Sequence, residues 1–197
     1  MTETATQTSE QKPESGFIAY LNGLAKKQDR AALAHLRRGL GKKPGDAMEM
    51  YPYVGRYAGE ERGYDYTRAV FLTASLFAYH PEDSTQVKNF GASVDMLERN
   101  LRPPNERNND QPKNPSIERR FVALLDADAE DLHYYLRQMI GLLKANSVPV
   151  NWDRLFKDIR NWSHDDRFVQ RNWARSFWGS RETKENNDSE TTGGEEQ

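Results

Sequence analysis

NWDRLFKDIRNWSHDDRFVQRNWARSFW, residues 151–178, decides the fold class. Trp152, Leu155, Ile159 and Trp162 step by three, four and three residues, with Phe156 beside them, and Val169, Trp173 and Phe177 step by four. Both patterns gather apolar side chains on one face of a 3.6-residue turn, so each predicts an α-helix. The tryptophans read as core, because rings of that size dominate buried apolar area. Asn151 and Asp165 stand where N-caps belong.

The same period extends through the rest of the chain, and no segment alternates at period two. Phe17, Tyr20, Leu21 and Leu24 predict a first helix. Leu33, Leu36 and Leu40 predict a second, capped by Asp29 and ended by Gly39 and Gly41. GDAMEMYPYVGRY, 45–57, predicts a short helix interrupted by Pro52. A longer one runs from about Asp65 to Tyr79, with Phe71, Leu72, Ser75, Leu76 and Tyr79 on one side, and His80-Pro81 ends it. Val94, Leu97 and Leu101 mark a helix over 90–101. Pro115 opens the next, with Ile117, Phe121, Leu124 and Leu125, and Leu132, Leu136, Met139 and Leu143 mark another. The expected fold is all-α, with about eight or nine short helices. Residues 102–115, RPPNERNNDQPKNP, contain no apolar side chain other than proline and read as a loop. They divide an N-terminal helical subdomain, 15–101, from a C-terminal one, 116–179.

The ends, 1–14 and 180–197, hold too little apolar surface to offset the entropy of ordering and are expected to be disordered. They matter for the charge. The chain as a whole carries −2 and the two ends carry −2 and −4, which leaves the segment between them at +4. Cysteine is absent, so disulfides and thiolate metal sites are excluded. No stretch approaches the ~20 apolar residues of a membrane span. The opening residues lack the basic-then-apolar order of a signal peptide, so the cytoplasm is the expected compartment.

Candidate chemistry is sparse. His164-Asp165 is the one pair with the look of a metal motif; His133 could supply an upstream ligand, but nothing else completes the set, and Asp165 has the simpler role of a cap. Gly39-Leu40-Gly41-Lys42-Lys43 lacks the spacing and preceding strand of a phosphate loop. Asp126, Asp128, Glu130 and Asp131 read as acids favouring a helix N-terminus. No nucleophile–base pair stands out, so no enzyme is expected, and no cofactor or metal with it.

The cations are more informative. Between Lys26 and Lys43 seven basic residues meet one acid, Asp29, so pairing within the segment cannot neutralise them. His133, Arg137 and Lys144 share one helix flank, and so do Arg30 and Arg37. Such rows can track a phosphate backbone with counterion release and without reading sequence. The residues alone leave two readings open: a polyanion-binding surface, or a helical protein–protein adaptor without nucleic-acid binding.

Three stretches resemble the CasB family, the small subunit of the type I-E CRISPR surveillance complex called Cascade. They are His35-Leu36-Arg37-Arg38; Ser116-Ile117-Glu118-Arg119-Arg120-Phe121 with Leu124-Leu125; and Leu136-Arg137 with Val150-Asn151-Trp152 and WSHDDRFVQRNWARSFW. The resemblance spans about 16–179. It implies a noncatalytic all-α subunit of two helical subdomains. Two copies would lie head to tail beside the large and backbone subunits, close to the CRISPR RNA. A basic face would then stabilise the R-loop by contacting the displaced DNA strand and supporting the RNA–DNA hybrid. Arg37, Arg38, Arg119 and Arg120 match family arginines, as do Arg99 and Arg137. Lys42, Lys43, Arg102 and Lys144 join the candidate surface from the charge reading alone. The long 102–115 loop and the acidic tail depart from compact members of the family.

Overall fold

The computed structural model describes residues 16–102 and 114–179, apart from the side chain of Glu60. The expected tails, 1–14 and 180–197, and residues 103–113 of the expected loop lie outside the described residues. Nine α-helices are present among those described: α1 (Gly16–Lys26), α2 (Arg30–Arg37), α3 (Tyr51–Val54), α4 (Tyr64–Tyr79), α5 (Phe90–Asn100), α6 (Pro115–Asp126), α7 (Leu132–Ala145), α8 (Trp152–Arg160) and α9 (Phe168–Trp178). The fold is all-α. Three 3-10 turns, Met48–Met50, Gly55–Tyr57 and Glu60–Arg62, join the elements between α2 and α4.

Local chemistry explains most of the boundaries. Asp29 caps α2 by accepting from the Ala32 N–H at 3.0 Å, and Asn151 caps α8 through the Arg154 N–H at 2.9 Å. Asn114 caps α6, where Pro115 takes the first-turn position that needs no N–H donor. Pro52 likewise sits in the first turn of α3 and opens that helix rather than interrupting it.

Helix α4 organises the core. Arg68 through Ala78, eleven consecutive residues, are buried, so the one-sided stripe expected for this helix is in fact burial all round. It packs chiefly on α8 and α2, with α1 and α7 completing the ring. Trp152 meets Phe77 edge-on at 5.5 Å, and Phe17 lies 5.0 Å from Phe156. Each such ring contributes about 1.5–3 kcal/mol when fully buried. Buried His80 bonds the Val148 carbonyl at 2.7 Å, and a parallel bridge joins Asp83 to Val150. The end of α4 is thereby stitched to the strand-like entry into α8.

A second junction joins α5 to α9. A Cβ on Gly91 would fall on the Trp173 backbone carbonyl, so only glycine lets these two helices approach so closely. The contacts α4–α8 and α5–α9 both bridge residues 102–115, and the described residues share one buried cluster.

Three further expectations are corrected. Asp165 does not cap the last helix. That helix starts at Phe168, preceded by Arg167 in the left-handed region at φ 49°, whose guanidinium bonds the Leu125 carbonyl at 2.5 Å. This tertiary bond to the end of α6 fixes the start of α9. Trp162 lies beyond α8 yet stays in the core, donating to the Ala127 carbonyl at 2.9 Å. Leu101 leaves the stripe of α5 and is exposed.

Asp158 links α8 to α9. Its carboxylate accepts from Trp173 Nε1 at 2.6 Å and Arg154 Nε at 2.9 Å. Burial pushes its pKa above the usual carboxylate range, against the opposing pull of Trp173 and Arg154. The folded chain thus holds this proton to higher pH than the unfolded chain. Stability should fall as pH rises from about 4 through the raised value, then level off. Urea-unfolding midpoints measured across that range should show this slope in the wild type and lose it in Asp158→Asn. Asp158→Ala, which leaves the Trp173 N–H without its acceptor, should cost about 1–3 kcal/mol.

Candidate nucleic-acid interface

The turn after α2 and the middle of α7 come together. Gly41 takes φ +77°, a conformation that favours glycine, and the Arg137 guanidinium lies against its Cα where a side chain would otherwise project. Arg137 therefore sits beside Lys42 and Lys43, and all three are exposed. Lys144, one flank further along α7, holds its ammonium 4.0 Å from the centre of the Tyr79 ring. Cations from distant parts of the chain thus share one region.

The other candidate residues differ in their surroundings. Arg37 is exposed, with its Nε donating to the Leu33 carbonyl of its own helix at 3.1 Å. Arg38 reaches Glu49 at 3.3 Å on the surface. The Glu49 carboxyl lies below its usual pKa, first because its own backbone N–H bonds it and then because Lys42 and Arg38 are close. Arg119 and Arg120 are exposed on α6, whose buried side carries Ile117, Phe121 and Leu124. Arg99 is half exposed and bonds Asp95 at 2.8 Å.

Arg102 is the clear correction. It is 8 % exposed, and its guanidinium grips Glu98, itself buried, through Nε at 2.9 Å and Nη2 at 2.5 Å. A guanidinium committed in this way to a buried carboxylate holds the end of α5 and does not face a phosphate.

The reading from sequence also passed over Arg56, Arg62 and Arg160. Each is exposed and rests on tyrosine or phenylalanine rings supplied partly by other elements. Arg62 follows Glu60-Glu61, and Arg160 shares α8 with two aspartates, so local charge hid them. The available signal was Tyr20, Tyr57 and Tyr66, which have the right chemistry but no sequence proximity to all three.

The opposite sign collects elsewhere. The α6–α7 and α8–α9 turns border a cleft of about 580 Å³ lined by Asp126, Asp128, Glu130 and Asp165, with the Trp162 ring, His164 and one cation, Arg167. This end of α7 repels a polyanion, whereas Arg137 and Lys144 attract one further along the same helix. His164 approaches Asp166 at 3.7 Å, both exposed, and among the described residues no three histidine, aspartate or glutamate side chains gather as a ligand set. No described helix is long and apolar enough to cross a membrane.

The family model of the CRISPR-associated protein Cse2 matches residues 32–178. The chain belongs to the Cse2 family. It is 28 % identical over 180 residues to the Cse2 protein of Thermus thermophilus, covering 88 % of this chain and 94 % of that one. The crystal structure of M. ruber CasB superposes with a TM-score of 0.67 at 29 % identity, covering 89 % of this chain and 99 % of its own. The resemblance to CasB is thereby confirmed. A chain of a CRISPR RNA-guided surveillance complex shares the fold of this Cse2-family protein, with a TM-score of 0.64 at 21 % identity over 87 % and 99 % of the two chains.

If Arg102 serves the fold, its replacement should be read in stability. Arg102→Ala leaves Glu98 buried without this counter-ion and should cost about 3–5 kcal/mol, measured by thermal or urea unfolding. Arg99→Ala, on the surface, should cost no more than about 1 kcal/mol.

Proposed function

We propose that this chain is a noncatalytic small subunit of a type I-E CRISPR Cascade effector complex. Its basic helical surface holds nucleic-acid backbone and so stabilises the R-loop. The observation that carries this reading is Arg137 folded over Gly41 beside Lys42 and Lys43, which turns separate cations into one positive surface. Family membership and the shared fold of a surveillance-complex chain support the setting.

The mechanism is electrostatic. Opening a target duplex exchanges DNA pairs for RNA–DNA pairs of similar stability, each stacking step being worth roughly 1.4 kcal/mol, so the exchange is nearly balanced. A few phosphate contacts can tip that balance toward the open state. Each cation that neutralises a phosphate releases condensed counterions, a gain that depends on salt and not on base identity. Lys42, Lys43 and Arg137 form the centre of this surface, with Arg37, Arg38 and Lys144 on the same two helices or their ends; exposed Arg119 and Arg120 on α6 and Arg99 on α5 are the further candidates for backbone contact. The partners are CRISPR RNA, the target and displaced DNA strands, the large and backbone subunits, and a second copy in a head-to-tail, heterologous contact. The protein acts in the cytoplasm, where the DNA and RNA are.

Replacing Lys42, Lys43 and Arg137 by alanine together should leave the fold intact, since exposed substitutions cost little. Target-duplex binding by a complex reconstituted with this variant should weaken at least about tenfold at physiological salt. Its log–log salt slope should drop by about 2–3. Wild-type affinity and slope in that complex would count against the assignment.

A further inference from the structure

The cleft between the α6–α7 and α8–α9 turns sets four carboxylates against one cation. Asp126, Asp128 and Glu130 stand on one wall and Asp165 on the other, and all four are exposed. Among the described residues, none of them lies within ion-pairing distance of a lysine, arginine or histidine. Glu130 accepts from the Tyr64 hydroxyl at 3.2 Å, which leaves its charge in place. The cation, Arg167, turns its Nη2 to the Leu125 carbonyl.

Helix electrostatics account for only part of this set. Asp128 and Glu130 precede α7, where negative charge is favourable, but Asp126 is the last residue of α6, where the helix dipole disfavours it. Gln170 is a second and independent sign. It lines the cleft and is 6 % exposed. Its Nε2 donates to the Trp162 carbonyl at 2.9 Å, and its Oε1 is buried with no hydrogen-bond partner. The Trp162 carbonyl can only accept, so it fixes which end of the amide is left open. A buried acceptor without a donor is costly, and a donor entering the cleft satisfies it.

We propose that this cleft is the docking site for an arginine-bearing segment of another protein chain. The sign turns nucleic acid away, since the carboxylates repel phosphates. Among the described residues no three acidic or histidine side chains gather closely enough to hold a metal ion, so the negative charge is spread and suits a spread cation. A guanidinium is such a cation. It is delocalised and weakly hydrated, and its five donors can serve carboxylates and an amide oxygen together. The cleft volume, about 580 Å³, exceeds that of one side chain, so the backbone flanking the arginine enters with it. The inference goes beyond the nucleic-acid reading. Its ligand has the opposite charge, and its site lies at the start of α7, roughly 18 Å along that helix from Lys144 at 1.5 Å per residue. Either reading can fail alone.

The test is fluorescence anisotropy of the full chain with a labelled peptide of alternating arginine and glycine. A lysine–glycine peptide of the same length and unlabelled spermidine serve as comparisons. The arginine peptide should bind the triple variant Asp126→Asn, Asp128→Asn, Asp165→Asn at least about tenfold more weakly than the wild type, the sum of three exposed pairings. Gln170→Met, which removes the open acceptor at similar length, should weaken binding about threefold or more. The lysine peptide should bind less tightly than the arginine peptide. Duplex-DNA binding by the triple variant should not weaken, which separates this test from that of the nucleic-acid surface. Wild-type affinity for the arginine peptide in either folded variant overturns the inference, and so does a wild-type chain that does not bind the peptide at low salt. Equal affinity for the two peptides, the mark of diffuse attraction, also overturns it. Displacement of the peptide by equimolar spermidine assigns the cleft to a small amine and overturns the protein partner. A triple variant that loses only self-association assigns the cleft to a second copy, with the same consequence.

Discussion

The structure depends on the burial of α4 from every side. A helix whose eleven central residues are all shielded must be surrounded, and α1, α2, α7 and α8 supply the surrounding ring. Two of its polar members find partners: Arg68 bonds Asp65 at 2.9 Å and reaches Ser163 Oγ at 3.3 Å, and Ser75 returns its hydroxyl to the Leu72 carbonyl, while Arg68 Nε and Thr73 Oγ1 are buried without one. Each surrounding helix spends its apolar face on α4 or on a neighbour. Most of the cations are left facing outward, and the order in which the ring closes decides which of them meet.

That closure separates the charges. Helix α7 passes from the acidic turn at Asp128–Asp131 to Arg137 and Lys144, so a single element spans a repulsive end and an attractive flank for phosphate. The tyrosines near the start of α4 and in α1 meet arginines from the short turns and from α8. Two kinds of basic surface result: exposed lysines with Arg137 around Gly41, and ring-bound arginines near the start of α4.

Much of this was legible in the residues, because burial of a helix face leaves a period that needs no tertiary knowledge. Val169, Trp173 and Phe177 mark α9, and Asp29 and Asn151 cap the helices they precede. The exceptions arise where a distant contact overrides a local preference. Arg167 bonds Leu125 across the fold and moves the start of α9 past Asp165. Arg102 and Glu98 stand four apart, a spacing that is the same for a solvent-exposed pair and a buried one, so sequence could not tell a structural arginine from a binding one. Arg56 and Arg160 take part of their surroundings from rings far away in the chain, Tyr20 and Tyr66, whereas Arg62 meets Tyr66 only four residues on. Lys42, Lys43 and Arg137 were recognised individually as cations, but their meeting depends on the left-handed turn at Gly41.

The central claim is that packing around α4 presents basic surfaces to nucleic acid. Backbone-amide NMR of the full chain during titration with a single-stranded oligonucleotide tests it most directly. The account predicts shifts that cluster at residues 39–43 and around 137, with the acidic turn at 126–131 unmoved. Perturbations confined to that acidic turn, or spread evenly over all helices, would contradict it.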